Sequence, residues 1–439
     1  MTGWGVLDGY LARLNRRQPW RWRGSVLQSI GQTVESAGPL ASVGECCEIT
    51  DQSGRSHSAE VIGFRGSSVL TMPVETCDGI RFGDCVTALG TQPAIEAGDD
   101  LMGRVLNALG QPIDGGRPIR ATVPRPIEGR VRAALDRVPI RTPLGTGIRV
   151  LDALLTVGRG QRVGIFGGSG VGKSTLVGMM TRNTEADVTV VGLVGERGRE
   201  VGEFLENALG KEGLARSVVV VSTSDQSPLL RMRAAMAATT VAEHFAAQGR
   251  HVLLVLDSLT RFAMAAREIG LAAGEPPTNK GYTPSVFTRL ARLVERAGEF
   301  PSGSITAFYS VLMEGDDQQD PLVDAVRSLL DGHVVLSRAM ASEGWYPPVE
   351  VLDSISRLMP AVTDGPHREQ AALLRRLMAV YARSEDLVRI GAYRPGSDPE
   401  LDRALRAREA IRSFVTQDAT DLARFADSRA RLATLAGQV

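Results

Sequence analysis

Gly167-Gly168-Ser169-Gly170-Val171-Gly172-Lys173-Ser174 is the stretch whose reading decides the fold. It follows an apolar run, Val163-Gly164-Ile165-Phe166, and opens a helix-like segment that starts at Thr175 and reaches Met180. A strand, a glycine loop and a helix in that order form a phosphate-binding loop. The glycines let backbone N–H groups turn inward around a polyphosphate, and the helix N-terminus adds partial positive charge. In such a loop Lys173 reaches the terminal phosphates and Ser174 offers its hydroxyl to Mg²⁺. Residues 167–175 are therefore the expected phosphate-binding set, and the expected ligand is a nucleoside triphosphate.

Outward from the loop, strand-like and helix-like segments alternate. Strands are expected at 188–194, 217–222, 251–256 and 304–311, with helices at 199–209, 229–248, from 258, and at 284–297. This alternation implies an α/β domain, a mostly parallel sheet with helices on both faces and the ligand at the carboxyl ends of the strands. Two acids stand at such ends. Glu196 is placed to polarise the water that attacks a γ-phosphate, or else it only caps the following helix. Asp257 closes an apolar strand in the manner of an acid that holds Mg²⁺ through water.

The flanks read differently. Trp4, Leu7, Leu11 and Leu14 recur at helical spacing, so residues 1–20 predict a short amphipathic helix, packed on its own domain or docked to a regulatory partner. Between 24 and 89 short apolar runs alternate with turn residues, the pattern of successive hairpins in a small β-barrel or sandwich. The prolines and glycines of 92–146 predict an extended connection wrapped on the next domain. From about 363 the chain is helix-rich, with Leu373, Leu374, Leu377, Val380 and Tyr381 on one face.

Composition narrows the partners. The 439 residues carry 50 Lys plus Arg against 50 Asp plus Glu, which gives no electrostatic case for nucleic acid or a membrane surface. No signal peptide and no apolar span of membrane length is read, so a cytoplasmic protein is expected. Cys46, Cys47, Cys77 and Cys85 lack metal-ligand spacing and read as reduced thiols.

Seven stretches carry a resemblance: LMGRVLNALGQPIDG at 101–115, LTVGRGQRVGIFGGSGVGKSTL at 155–176, VGERGREV at 194–201, LLVLDSLTRF at 253–262, GEPPTNKGYTPSVFTRLARLVERAG at 274–298, SITAFYSVLMEGDDQQDP at 304–321 and LDGHVVLSR at 330–338. In these, and in this order, the chain resembles the export ATPases of bacterial flagella and type III secretion systems. Those are relatives of the catalytic subunit of rotary ATP synthases. The wording around Ala307-Phe308-Tyr309, 316–321 and Ile390-Gly391-Ala392-Tyr393 looks more flagellar than virulence-type.

The resemblance implies a RecA-like ATPase domain with its leading linker over 93–362, a β-barrel over 21–92 and a C-terminal helical domain over 363–439. It assigns catalysis to Glu196 and Lys173, Mg²⁺ to Ser174 and Asp257, and a place near the phosphates to Arg261. Arg357 matches an arginine supplied to a neighbouring subunit's γ-phosphate, and Tyr346 an aromatic that stacks on adenine. A ring of six subunits is implied, with a stalk-like protein, export-gate membrane proteins and chaperone-bound substrates as partners. It would work at the cytoplasmic face of the export apparatus. Two departures stand out: Asp418 and Ala419 occupy the region of a second adenine-facing aromatic, and the C-terminal helices lack an acidic coupling loop of the synthase type, which argues against the alternative reading as the catalytic subunit of a rotary proton-translocating ATP synthase.

Overall fold

The computed structural model of the chain describes residues 21–75, 79–313 and 320–439. The helix expected within 1–20, Cys77 and the acidic wording at 316–319 lie outside the described residues.

Six strands close into a barrel: Arg23–Ile30, Thr33–Ala37, Cys46–Thr50, Ser56–Arg65, Ser68–Pro73 and Cys85–Ala88. The first pairs with the last, Gly24 opposite Val86, so the sequence's choice between barrel and sandwich resolves to a barrel with no free edge. Along Cys46–Thr50 every second residue is buried, the period of a strand with one wet face. Val26, Val34, Ile49, Val61 and Val86 fill the interior.

The connection that follows does more than wrap. Ala94–Ala97 pairs with Val123–Pro126, and Arg104–Asn107 joins the central sheet as an edge strand, parallel to Ser217–Thr223. The Arg104 guanidinium grips the Asp114 carboxylate through Nε at 2.8 Å and Nη2 at 2.7 Å, which fixes that edge.

Across the central sheet the order is Val349–Ser356, Gly332–Leu336, Arg162–Gly167, Ser304–Leu312, His251–Asp257, Val188–Glu196, Ser217–Thr223 and Arg104–Asn107. All neighbours run parallel except the outermost Val349–Ser356 and a short Gly298–Glu299 spur. Parallel strands need helical crossovers and are covered on both faces, so their residues are apolar throughout. Val188–Glu196 and His251–Asp257 accordingly bury nearly every residue. Helices Pro228–Ala247, Leu259–Ala272 and Pro284–Val294 pack on one face, and helix Lys173–Asn183 on the other.

Helices Gly365–Arg389, Pro399–Val415 and Phe425–Gln438 form the C-terminal unit. Asp364 and Asp398 cap the first two, Asp364 accepting from the His367 N–H at 3.0 Å. Leu374, Leu377 and Val380 are buried, whereas Leu373 and Tyr381 are half-buried beside them.

Barrel and nucleotide unit meet at a buried ion pair. Arg233 donates to Glu60 Oε2 through Nη2 at 2.5 Å and Nε at 3.2 Å, and both side chains are nearly inaccessible. Burial pushes the Glu60 carboxyl above its ordinary range, and Arg233 opposes that shift. Removing one partner of such a pair leaves an uncompensated charge. Arg233→Ala should therefore destabilise the protein by about 3 kcal/mol, read as a lowered thermal midpoint. Adding Glu60→Gln should return part of the loss. Equal midpoints for wild type and Arg233→Ala would show that the pair contributes nothing.

Candidate active site

The sheet register decides what meets here. Gly167 lies opposite Leu312, Leu256 opposite Tyr309, and Leu193 opposite Asp257, so the carboxyl ends of four parallel strands share one rim. The glycine loop leaves that rim after Gly167 and enters helix Lys173–Asn183. Gly170 and Gly172 hold φ of 77° and 92°, a left-handed backbone that a Cβ would strain. Gly172 is the helix N-cap and supplies no side-chain cap, so the first N–H groups of the helix are free for an anion. Ser174 and Thr175 are exposed on the first turn, and Lys173 is buried.

Charge is concentrated behind the loop. Lys173 Nζ stands 3.7 Å from Asp257 Oδ1, and that same oxygen accepts a hydrogen bond from Ser310 on the adjacent strand. Glu196 ends its strand just after Gly195, whose φ is 70°. Its carboxyl is pushed up to about 8, first by burial, then by the Asp257 charge and the Glu200 carboxyl, with Lys173 and Arg261 opposing. Arg261 lies in the first turn of helix Leu259–Ala272, close enough that a Cβ on Gly195 would meet its Cβ at 3.1 Å. The Arg261 Nε is buried without a hydrogen-bond partner, an unsatisfied donor beside the acids. Free helix N–H groups, a buried lysine and an orphaned guanidinium nitrogen fit a polyphosphate. Ser174 and Asp257 are the oxygen donors that fit a hard divalent cation beside it.

Tyr346 joins this group from a distant segment. A Cβ placed on Gly172 would lie 3.5 Å from the Tyr346 ring, which is half exposed at the end of the loop. Arg338 donates to the Ser169 carbonyl at 3.2 Å. Arg357 does not join. It follows Ser356, which pairs with Gly332 at the amino end of the sheet, and its N–H donates to the Asp331 carbonyl at 3.0 Å. The strand Arg162–Gly167 separates it from the loop, roughly 16 Å at 3.3 Å per residue. Its side chain is exposed. Ser310, Arg338 and Gln417, whose N–H donates to the Tyr346 carbonyl at 2.7 Å, are contacts that sequence reasoning missed. They bear no local pattern: Ser310 is found only through the sheet register, and Arg338 and Gln417 only through the packing of distant segments.

Residues 147–356 match the nucleotide-binding domain of the ATP synthase alpha/beta family, and residues 26–90 match that family's beta-barrel domain. Residues 363–434 match the T3SS EscN ATPase C-terminal domain. Fold, loop and acids together define an ATP hydrolase of the ATP synthase alpha/beta class. The flagellum-specific ATP synthase of Treponema pallidum (strain Nichols) is 51% identical over 433 residues, covering 98% of this chain and 97% of the relative. The type 3 secretion system ATPase of Xanthomonas euvesicatoria is 48% identical, covering 92% and 91%. Among solved structures, the assembled ATPase EscN from the enteropathogenic E. coli type III secretion system superposes with a TM-score of 0.90 at 42% identity, covering 94% and 100%. EscN in complex with its central stalk EscO gives 0.86 at 41%, with the same coverage. The chain belongs to the flagellar and type III secretion ATPases.

The elevated Glu196 carboxyl has a consequence for stability. Its ordinary value is 4.5 and its folded value about 8, so the folded chain favours the protonated form. Stability is unimpaired below 4.5, falls as pH rises from there, and bears the full penalty above about 8. Glutamine never ionises. In the nucleotide-free protein, Glu196→Gln should therefore melt increasingly above wild type as pH rises from about 5 to about 8.5. Parallel melting curves across that range would mean that Glu196 is not held in a disfavouring site.

Proposed function

We propose that this chain is a Mg²⁺-dependent ATPase that energises the unfolding and export of proteins through the flagellar type III apparatus. The observation that carries the reading is the meeting of Lys173, Glu196 and Asp257 at one strand rim, in a chain that matches a flagellum-specific relative over 98% of its length. The loop N–H groups from Gly167 to Thr175 bind the phosphates, and Lys173 and Arg261 offset their charge. Ser174 and Asp257 would hold Mg²⁺, which when bound would supply positive charge to offset the negative charge developing on the phosphates. Glu196, held protonated in the nucleotide-free protein, would act in its ionised form to orient and polarise the attacking water, a bound cation offsetting the Asp257 charge that opposes ionisation. Tyr346 stacks on the base.

Arg357 completes the neighbour's site rather than its own. Its position at the opposite end of the sheet from its own loop and its exposure support a place at a subunit boundary. The proposed assembly is a ring of six subunits around a stalk-like protein; the similar EscN is known as an assembled ATPase and in complex with a central stalk, EscO. Export-gate membrane proteins, chaperone-bound substrates and a regulator at residues 1–20 are the further proposed partners, at the cytoplasmic face of the apparatus. A second reading, a virulence-type secretion ATPase, is favoured by the type 3 secretion relatives. Deleting the coding sequence decides between them: loss of filaments and motility supports the first, loss of effector secretion alone the second.

Glu196→Gln should retain Mg·ATP binding yet lose about 10²–10⁴ in turnover. Lys173→Ala should instead weaken nucleotide binding itself, measured by titration with a fluorescent analogue; unchanged affinity would remove Lys173 from the phosphate site. For Arg357, the informative experiment mixes two inactive chains. Arg357→Ala should lose roughly 10³–10⁵ in rate. Combined with Glu196→Gln chains it should regain activity, because some boundaries then join an intact Glu196 to an intact Arg357. Mixed rings seen by light scattering without recovered hydrolysis would refute a shared site.

A further inference from the structure

The turn that carries Tyr346 is fastened from outside the nucleotide sheet. The Tyr346 carbonyl accepts from the Gln417 N–H at 2.7 Å, and the Glu343 carbonyl from Arg412 at 3.3 Å. The Arg412 guanidinium also lies 5.1 Å from the centre of the Trp345 ring. Arg412 belongs to helix Pro399–Val415, and Gln417 to the turn that follows it. The base-side aromatic is thus held by the C-terminal unit.

Gln417 is itself anchored. It is 5% exposed, and its amide is fully engaged. Oε1 accepts from the Arg149 N–H at 2.8 Å, and Nε2 donates to the Gly147 carbonyl at 2.9 Å and to the Asp421 carbonyl at 3.0 Å. Arg149 returns the contact. Its buried guanidinium donates to the Phe414 and Thr416 carbonyls at 3.1 and 3.0 Å, closing the end of helix Pro399–Val415 with a cation at its negative pole. Gly147 and Arg149 lead through the buried helix Arg149–Leu154 toward the strand that bears the phosphate loop. One residue therefore ties the turn under Tyr346, which its backbone N–H holds, to the frame under the phosphates, which its side chain holds.

Among the described residues no second ring is placed in the turn after helix Pro399–Val415 to share that work. Residues 415–421 contain no aromatic; Asp418 is exposed and its Oδ1 accepts from the Thr420 N–H at 2.8 Å, while the Ala419 carbonyl accepts from Arg182 at 2.7 Å. With a single ring against the base, the placement of that ring governs how much stacking is gained.

We propose that Gln417 is a positioning residue for the nucleotide base: by locking the Tyr346 turn to Gly147 and Arg149 it makes base affinity depend on the seating of the C-terminal helices. This rests on the reading of Tyr346 as the base-stacking residue, and the test separates the two. In the full chain, Gln417→Ala should raise KM for ATP roughly tenfold, the size expected for lost buried hydrogen bonds, with kcat little changed. ADP affinity should fall by a similar factor, whereas the affinity for inorganic pyrophosphate, which has no base, should hold. A merely structural role would lower the number of active sites and leave both affinities alone. Gln417→Met, which keeps the volume and removes the side-chain hydrogen bonds, gives the same readout should the alanine variant not fold. In a Tyr346→Ala chain the further change Gln417→Ala should add little. If Tyr346→Ala weakens ADP and neither Gln417 variant does, the positioning role is overturned and base stacking stands. If ADP and pyrophosphate weaken equally, Gln417 acts on the phosphate site and the proposal is wrong. If Tyr346→Ala leaves ADP affinity unchanged, base stacking itself falls and the proposal falls with it.

Discussion

Everything at the nucleotide site depends on the parallel register of the central sheet. Arg162–Gly167, Ser304–Leu312, His251–Asp257 and Val188–Glu196 lie side by side and run in one direction, so their last residues share a rim. None of the functional groups creates that alignment. It is imposed by apolar strands such as Val190, Val191, Leu254 and Phe308, buried on both faces, where a slip of register would expose a whole row of side chains. A loop, two acids and a serine drawn from four separate segments become neighbours because the packing leaves them nowhere else to be.

That convergence brings an electrostatic conflict with it. Glu196 and Asp257 are like charges in a partly dry rim, and the Glu196 carboxyl rises as a result. Lys173 relieves Asp257 at 3.7 Å, and Ser310 adds a hydrogen bond, so Asp257 is the better supported of the two acids. This division suits two different tasks. An acid that stays engaged with cations serves as an anchor, while a loosely held one near neutral range can trade a proton and orient water. The unsatisfied Arg261 Nε adds a donor with no partner, and an anion bound at the rim would satisfy it.

Sequence reading reached the parts of this design that are local. Gly170 and Gly172 are glycine because the loop needs positive φ, and that demand is written in adjacent residues. Glu196 and Asp257 were legible as acids ending apolar strands, and the hairpins of the barrel as short runs between turns. The edge strand Arg104–Asn107 was not, because its partner Ser217–Thr223 lies far away in the chain and parallel pairing leaves no turn signal between them. Ser310 holds Asp257 across 53 residues, and Gln417 meets Arg149 across 268. Neither has a periodicity or a motif of its own. Arg357 came from resemblance alone, since within its own chain it touches nothing of the site.

The last of these is explained by topology. Val349–Ser356 is the one antiparallel member at that edge, so its end returns to the amino side of the sheet, next to Asp331 and Arg162. An arginine placed there cannot swing to its own phosphate loop, because the length of Arg162–Gly167 stands between them. A second copy, rotated so that this edge faces the first copy's rim, has no such obstacle. The contact it would make is heterologous, one edge against a different edge, and such contacts close only into rings or run on as filaments. Under the proposed role of Arg357, the antiparallel turn-back of one edge strand would convert a chain that can bind nucleotide by itself into one whose rate depends on a neighbour. The proposed ring is in this sense a consequence of strand direction rather than an addition to a finished enzyme.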